Sequence, residues 1–408
     1  MNKIISNSLS PNTERDDIVL ALKVMFGQKR RENTKKLERV FRNYFGFKNA
    51  FAFNSGRSSL IAILKAMEIK EGDEVVIQAF TCNAAVNPII YVGAKPVFAD
   101  INKELNMDPN SLIQKINKKT KAVIIQHTFG NPGEINEIRD ICKNNNIYLI
   151  EDCAHSLGAM YNGEFCGFFG DASFFSFGRD KVISSVYGGM VTVNNNKLIE
   201  KVSDFQKNIK NPSPFWTLQQ LIHPILTNVF VLPIYNMKIG RALMAGLINF
   251  NILSKAVTRN ENQGNLPNYF PKKMPDSLSA LAIHQLKKLE RYNKHRIDIA
   301  NYYNLLFSKP LIKKEKENIY LKYPIIINNP SKILSELRKY NIYLNDGWSG
   351  SPIMPKLTSL EKVCYSLGSC PKAEEVANKI ISLPTHINIS KKDAKLIFDS
   401  LEKLRQNK

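Results

Sequence analysis

Between residues 50 and 194 short apolar runs alternate with amphipathic stretches. The runs at 74–78, 96–100, 121–126, 147–151, 172–177 and 190–194 have strand length and are rich in Val, Ile and Phe. Between several of them lie helical patterns, such as 58–67 and 135–144. Runs this apolar predict strands buried on both faces, the rhythm of an α/β domain with helices on either side of its sheet. Ligands in such folds collect beyond the strand ends, so chemistry is expected in the loops that follow the strands.

The second half reads differently. Residues 277–307 predict one long helix, with Leu278, Leu281, Leu286, Leu289 and Ile297 on a buried face. A strand at 319–327, a helix at 331–339 and a last helix at 391–404 predict a smaller α/β domain. Between the halves, 211–237 holds no charged residue and 242–254 is a second charge-free run. Pro224, Pro233 and several Asn and Gln break the first run too often for a membrane span, which needs about 20 mainly apolar residues. Two readings stand. One is a buried helical insert at a subunit interface. The other, slightly favoured, is an interfacial hairpin lying on a membrane, with Lys238, Arg241, Lys255 and Arg259 against anionic headgroups. The expected division is a large domain over 1–210, the apolar insert over 211–259, and an interdomain helix with a small domain over 260–408.

Composition narrows this little. At 408 residues, 44% hydrophobic and 23% charged, the chain is an ordinary globular protein. The net charge of +21 favours anionic partners without distinguishing nucleic acids, membranes and phosphorylated small molecules. The basic run 29–36 is interrupted by polar residues and reads as a solvated helix face. No basic stripe is interleaved with aromatics, so no nucleic-acid partner is expected. Cysteines 82, 142, 153, 166, 364 and 370 are far apart with no CxxC pair, so neither a metal site nor a disulfide framework is indicated. The first residues lack the apolar core of a signal peptide, and the expected location is cytoplasmic.

The candidate chemistry lies in three blocks. In Ile150-Glu151-Asp152-Cys153-Ala154-His155 an acidic residue stands just past an apolar strand, where it could equally cap a helix. In Ser176-Phe177-Gly178-Arg179-Asp180-Lys181, a lysine among small and hydroxyl residues follows a buried strand. Such a lysine can be held partly desolvated as the free amine that carbonyl chemistry needs, although most loop lysines are simply solvated. In Asn54-Ser55-Gly56-Arg57-Ser58-Ser59, Gly56 permits a tight turn and Ser58 is read as opening a helix whose amides and dipole favour a phosphate. Together the blocks supply what pyridoxal 5'-phosphate (PLP) requires: a lysine for its Schiff base, an acid for its ring nitrogen, and hydroxyl and N–H groups for its phosphate.

The chain resembles the DegT/DnrJ/EryC1/StrS family of PLP-dependent sugar aminotransferases. The likeness rests on Ser55-Gly56 to Leu60, Gly72-Asp73-Glu74-Val75, Gly93-Ala94-Lys95-Pro96 to Asp100 and His127-Thr128-Phe129-Gly130. It rests further on Glu151-Asp152, the spacing of Ser176 to Lys181, Gln285-Leu286 to Leu289, and Ser382-Leu383-Pro384-Thr385-His386. The resemblance implies PLP-dependent transferase fold type I, aspartate aminotransferase-like, with a large mixed-sheet domain plus a smaller C-terminal α/β domain. It implies a homodimer with sites at the interface. Lys181 would then form the Schiff base and Asp152 face the ring nitrogen. His155 would sit by the ring and its phenolic oxygen, and Ser176 with the amides of Arg57 and Ser58 would hold the phosphate. The implied activity moves an amino group, from glutamate, to a nucleotide-linked keto-sugar of a surface polysaccharide or glycoconjugate. Lys181 argues against the dehydratase branch, which has His there. The alternatives are a non-catalytic membrane scaffold or regulator that keeps the fold, and a lipid-linked sugar as acceptor. Three positions depart from the family pattern: Cys82 where an aromatic stacks on the ring, Tyr187 before Gly188-Gly189, and Pro271-Lys272-Lys273 where an Asn-Tyr-Arg element reaches the partner's cofactor.

Overall fold

A computed structural model describes residues 3–27, 32–308, 316–344 and 347–406. Seven strands form the large sheet: β1 (Phe51–Phe53), β2 (Glu74–Gln78), β3 (Lys95–Ala99), β4 (Thr120–Gln126), β5 (Tyr148–Asp152), β6 (Ala172–Ser176) and β7 (Gly189–Val193). Their order is β1-β7-β6-β5-β4-β2-β3. All run parallel except β7, which is antiparallel to β1 and β6. The six apolar runs in the sequence are therefore six of these strands, with ends shifted by a residue or so. The three-residue β1 is too short to show a period.

Both faces of the sheet are buried, which is why the strands read as continuous apolar runs. Ile124, Ile150 and Phe174 pack on one face with Leu60, Ile61 and Ile63 of a helix. Val123, Ile125, Leu149 and Phe175 pack on the other against Phe41, Phe45 and Phe47. Helix α2 (Gly56–Ala66) packs on β7, β6 and β1, whereas the N-terminal helix α1 (Arg15–Phe26) packs on other helices. The basic residues at 29–31 lie outside the described residues, and Lys35 and Lys36 are exposed on a helix over Asn33–Phe45.

The apolar segment forms a helical hairpin. Helix α3 (Pro214–Ile225) runs on through a π-turn (Leu226–Val231) and a 3-10 turn (Leu232–Ile234), and the chain then reverses into α4 (Lys238–Asn249). One side of this unit, with Trp216, Gln220, Leu221, His223, Thr227 and Val231, is buried. It packs on α1 and on a later helix, α5 (Asp276–Leu286).

The single long helix expected at 277–307 is corrected to two, α5 and α6 (Leu289–Phe307). The break at Lys287 and Lys288 has a tertiary cause. Gln285 turns inward to donate to the Asn12 carbonyl (2.9 Å), while Lys288 turns outward to Asp16 (2.6 Å) and Asp17 (3.1 Å). Apolar spacing carries no record of such partners. The strand expected at 319–327 shrinks to β8 (Lys322–Ile326), because Ile319 and Leu321 donate instead to the carbonyls of Gly130 and Phe129. β8 pairs antiparallel with β9 (Ile380–Pro384), and helices over α6 and Lys391–Gln406 cover the pair through Tyr303, Ile397 and Leu401.

Candidate active site

Parallel pairing brings the ends of β4, β5 and β6 side by side, with Gln126 opposite Asp152 and Asp152 opposite Phe174. The chain leaves each strand at this edge, and a cavity of about 180 Å³ opens there. Gly56, Arg57, Asp152, His155, Ser176 and Lys181 all line it, from three separate stretches of sequence.

Successive residues of β5 face opposite ways, and this separates two neighbouring acids. Asp152 is turned to the cavity, where its Oδ1 accepts the Ala154 N–H at 2.9 Å. Glu151 points to the other side and accepts three backbone N–H groups, from Gly167, Phe169 and Gly170, each at 2.7 Å. His127 meets the same carboxylate at 3.2 Å. Glu151 therefore fixes the 167–170 loop, and Asp152 is left to meet a ligand. Burial pushes the Asp152 carboxyl above its ordinary value, against the opposing pull of the Ala154 amide, Lys181 and His127. A cation placed beside it would be strongly held in its charged form.

Lys181 reaches His155, with Nζ and Nε2 2.9 Å apart. Burial, with Lys181 and Lys322 nearby, pushes the His155 imidazole well below its ordinary value, so this ring is neutral. The Phe129 N–H faces its Nδ1 at 3.4 Å, on the side of the ring away from the lysine. The Lys181 loop is pinned by Asn12, whose amide donates to the Lys181 carbonyl. Arg179 ties the same loop to the helical hairpin, donating to the Ser254 carbonyl at 2.6 Å.

Opposite lies the start of α2. Ser55 is its cap and its side chain accepts the Ser58 N–H at 3.1 Å. The reading of Ser58 as the residue that opens the helix is thus corrected. Ser58 is fully buried, its hydroxyl bonds Asn54 at 2.6 Å, and the cavity wall is made by Ser55, Gly56 and Arg57. The cap lies five residues ahead of the apolar run that starts at Leu60, so spacing alone misplaces it. Gly189 makes the close approach possible, since a Cβ there would lie 2.5 Å from the Ser55 carbonyl.

At the three departures, Cys82 lines the cavity in place of an aromatic ring. Tyr187 donates to the Lys255 carbonyl at 2.6 Å and rests against Trp216. Lys272 accepts the Asn54 N–H at 3.1 Å through its carbonyl, so the 271–273 segment runs beside the end of β1.

Several site residues escape the sequence reading. Trp348 enters from the C-terminal part of the chain and stands edge-on to His155 at 5.0 Å between ring centres. Lys322, at the start of β8, is buried with its Nζ 3.8 Å from the Asp180 carboxylate. Glu261 forms a buried ion pair with Arg57. Each is more than 100 residues distant from the block it meets, and only the rarity of Trp, two in the chain, could have drawn attention to one of them.

A lysine amine, a buried carboxyl and a helix N-terminus around one cavity, at the carboxyl edge of a mixed seven-stranded sheet, suit PLP in each of its functional groups. This is a PLP-dependent aminotransferase of fold type I. The pattern of the DegT/DnrJ/EryC1/StrS aminotransferase family matches residues 12–224 and 251–402, and the chain belongs to that family. It is 32% identical over 384 residues to the uncharacterized protein MJ1066 of Methanocaldococcus jannaschii, covering 91% of this chain and 89% of that one. Over 167 residues it is 42% identical to GDP-perosamine synthase of Vibrio cholerae, spanning 41% of this chain and 46% of the relative. The fold is similar to that of Helicobacter pylori PseC, an aminotransferase involved in the biosynthesis of pseudoaminic acid. That likeness has a TM-score of 0.73 at 23% identity, over 98% of this chain and 99% of the other.

Proposed function

We propose that this aminotransferase moves an amino group from glutamate to a nucleotide-linked keto-sugar destined for a surface polysaccharide or glycoconjugate, working as a cytoplasmic homodimer. The observation that carries the reading is the facing of Lys181 and Asp152 across one cavity, with the α2 N-terminus beside them. The perosamine synthase relative and the family support the sugar acceptor.

Lys181 would hold PLP covalently through its amine, and Asp152 would keep the ring nitrogen protonated. The Gly56 and Arg57 amides with the Ser176 hydroxyl would take the phosphate. The Ser58 amide would join them only if Ser55 released it. His155, a neutral ring beside Lys181, is placed to hydrogen-bond the phenolic oxygen. PLP, when bound, supplies an electron sink for the pair left on the donor's α-carbon. Lys181, once displaced by the donor's amino group, is the base that takes the α-proton and returns it as acid. Trp348, Ala256 and Val257 wall the acceptor side, with the Arg57 and Arg179 side of the cavity supplying cationic character that favours an anionic sugar nucleotide.

The test is Lys181→Ala. The variant is expected to lose the visible absorbance of lysine-bound PLP and all turnover, and mixing the wild type with glutamate should bleach that absorbance. An unaltered spectrum in the variant refutes the assignment. Candidate keto-sugars then identify the acceptor by restoring the bleached colour.

A further inference from the structure

The helical hairpin over 214–252 shows an outer face that the protein itself does not cover. Phe215, Leu218, Val229 and Phe230 stand outward, while Trp216, Gln220, Thr227 and Val231 are docked. All four are exposed, as are Met237, Ile239, Phe250 and Ile252 on the returning arm, with Phe250 at 81%. Gln219 donates to the Asn251 carbonyl at 2.5 Å, which ties the end of the returning arm to α3. Among the described residues of helix α4 only Gly240 is buried, and no side chain is fully covered. A helix of 12 residues that rests on the turns of its own hairpin leaves its outward apolar side chains in water, so this arm calls for a further surface.

Charge identifies that surface. From Phe205 to Asn260 there is no Asp or Glu, whereas Lys207, Lys210, Lys238, Arg241, Lys255 and Arg259 are all cationic. Arg241, Lys255 and Arg259 are exposed around the apolar face. A second copy docked about a two-fold axis would lay this wholly cationic patch against itself, a costly juxtaposition. Anionic headgroups over an acyl boundary complement it in both respects. The 21-residue stretch Pro214–Ile234 is long and apolar enough to cross a bilayer, yet its inner side is packed on α1 and α5. It can lie on a membrane and cannot thread one without leaving the protein. The family pattern stops at 224 and resumes at 251, so the outer part of the hairpin lies outside the shared fold.

We propose that the 214–252 hairpin docks this enzyme peripherally on an anionic membrane surface, with Phe215, Phe230, Ile239 and Phe250 at the acyl boundary and Arg241 and Lys255 on the headgroups. The docking lies close to the chemistry. The segment that follows the hairpin accepts the Arg179 guanidinium through the Ser254 carbonyl and lines the cavity with Ala256 and Val257. Products would therefore be released beside the membrane.

The test is co-sedimentation of the PLP-loaded full chain with vesicles of phosphatidylglycerol and phosphatidylcholine, against vesicles of phosphatidylcholine alone. Binding is expected only to the anionic vesicles. It should weaken severalfold as sodium chloride is raised, and roughly tenfold or more in Arg241→Glu. Phe230→Asp with Ile239→Asp should abolish it while leaving the PLP spectrum and soluble turnover intact. If that double variant does not fold, the salt and lipid dependence of the wild type decides alone. Equal binding to both vesicles, or none to either, overturns the proposal. So does a protein dimer that the double variant splits while vesicle binding is absent, which would assign the face to a second copy.

Discussion

Glutamate 261 offers the sharpest test of how the site is supported. Its side chain is 1% exposed, and its two oxygens are fully committed. Oε1 pairs with Arg57 Nε, and Oε2 accepts the Thr258 N–H at 2.8 Å and hydroxyl at 3.0 Å. In Glu261→Gln one of those donors must face an amide NH2, and the Arg57 guanidinium loses its counterion. Breaking a buried pair from one side costs about 3–5 kcal/mol. Arg57 keeps the Ala256 carbonyl at 2.8 Å and the Phe270 ring at 5.2 Å, which argues for the lower end, about 3 kcal/mol, or roughly a hundredfold in the folding equilibrium. Because Arg57 belongs to the first turn of α2, loosening it should also weaken PLP retention. Urea unfolding of the loaded and PLP-free protein measures both. Replacing the pair together, Arg57→Met with Glu261→Leu, should recover much of the loss, since the buried charge is then gone. A Glu261→Gln variant within about 1 kcal/mol of wild type, or a double variant whose loss equals the sum of the singles, refutes the reasoning.

Asp152→Asn should still bind PLP, but slow the half-reaction with glutamate by roughly 100- to 1,000-fold, because the charge that holds the ring nitrogen protonated is gone; stopped-flow absorbance reads this directly, and a near-normal rate counts against the role. The acid limb of stability should depend on Glu14. Arg291, with Tyr292 and Lys288, holds its carboxyl down to about 2 against an ordinary 4.5. A depressed carboxylate stabilises above its unfolded value and loses that contribution as pH falls through its folded one. Thermal melting should therefore fall more steeply between pH 4.5 and about 2 in wild type than in Glu14→Gln. Parallel curves would show that the α1 tether carries no linked proton.

Much of the cofactor half of the site could be read in the one-dimensional text, because it is built locally. Asp152 and Lys181 each follow a strand marked by its own apolar run, and Gly56 stands at a strand-to-helix turn. Ser58 went astray by one helical cap, a matter of which hydroxyl accepts which amide. The acceptor half could not be read in this way. Trp348 reaches the cavity from the C-terminal part of the chain, and Lys322 stands behind it against Asp180, placed there by the pairing of β8 with β9.

By itself the sequence determined the α/β character, six of the seven strands of the large sheet, and the residue types PLP needs, since burial on two faces and strand-end chemistry leave local signatures. The tertiary structure decided which acid faces the cavity. Glu151 and Asp152 are adjacent in sequence, and only the pleat of β5 sends one to the 167–170 loop and the other to the ligand. It also resolved the apolar insert into a docked side and a bare one. A run of uncharged residues has no sides until a helix gives it a period and a neighbour covers half of it.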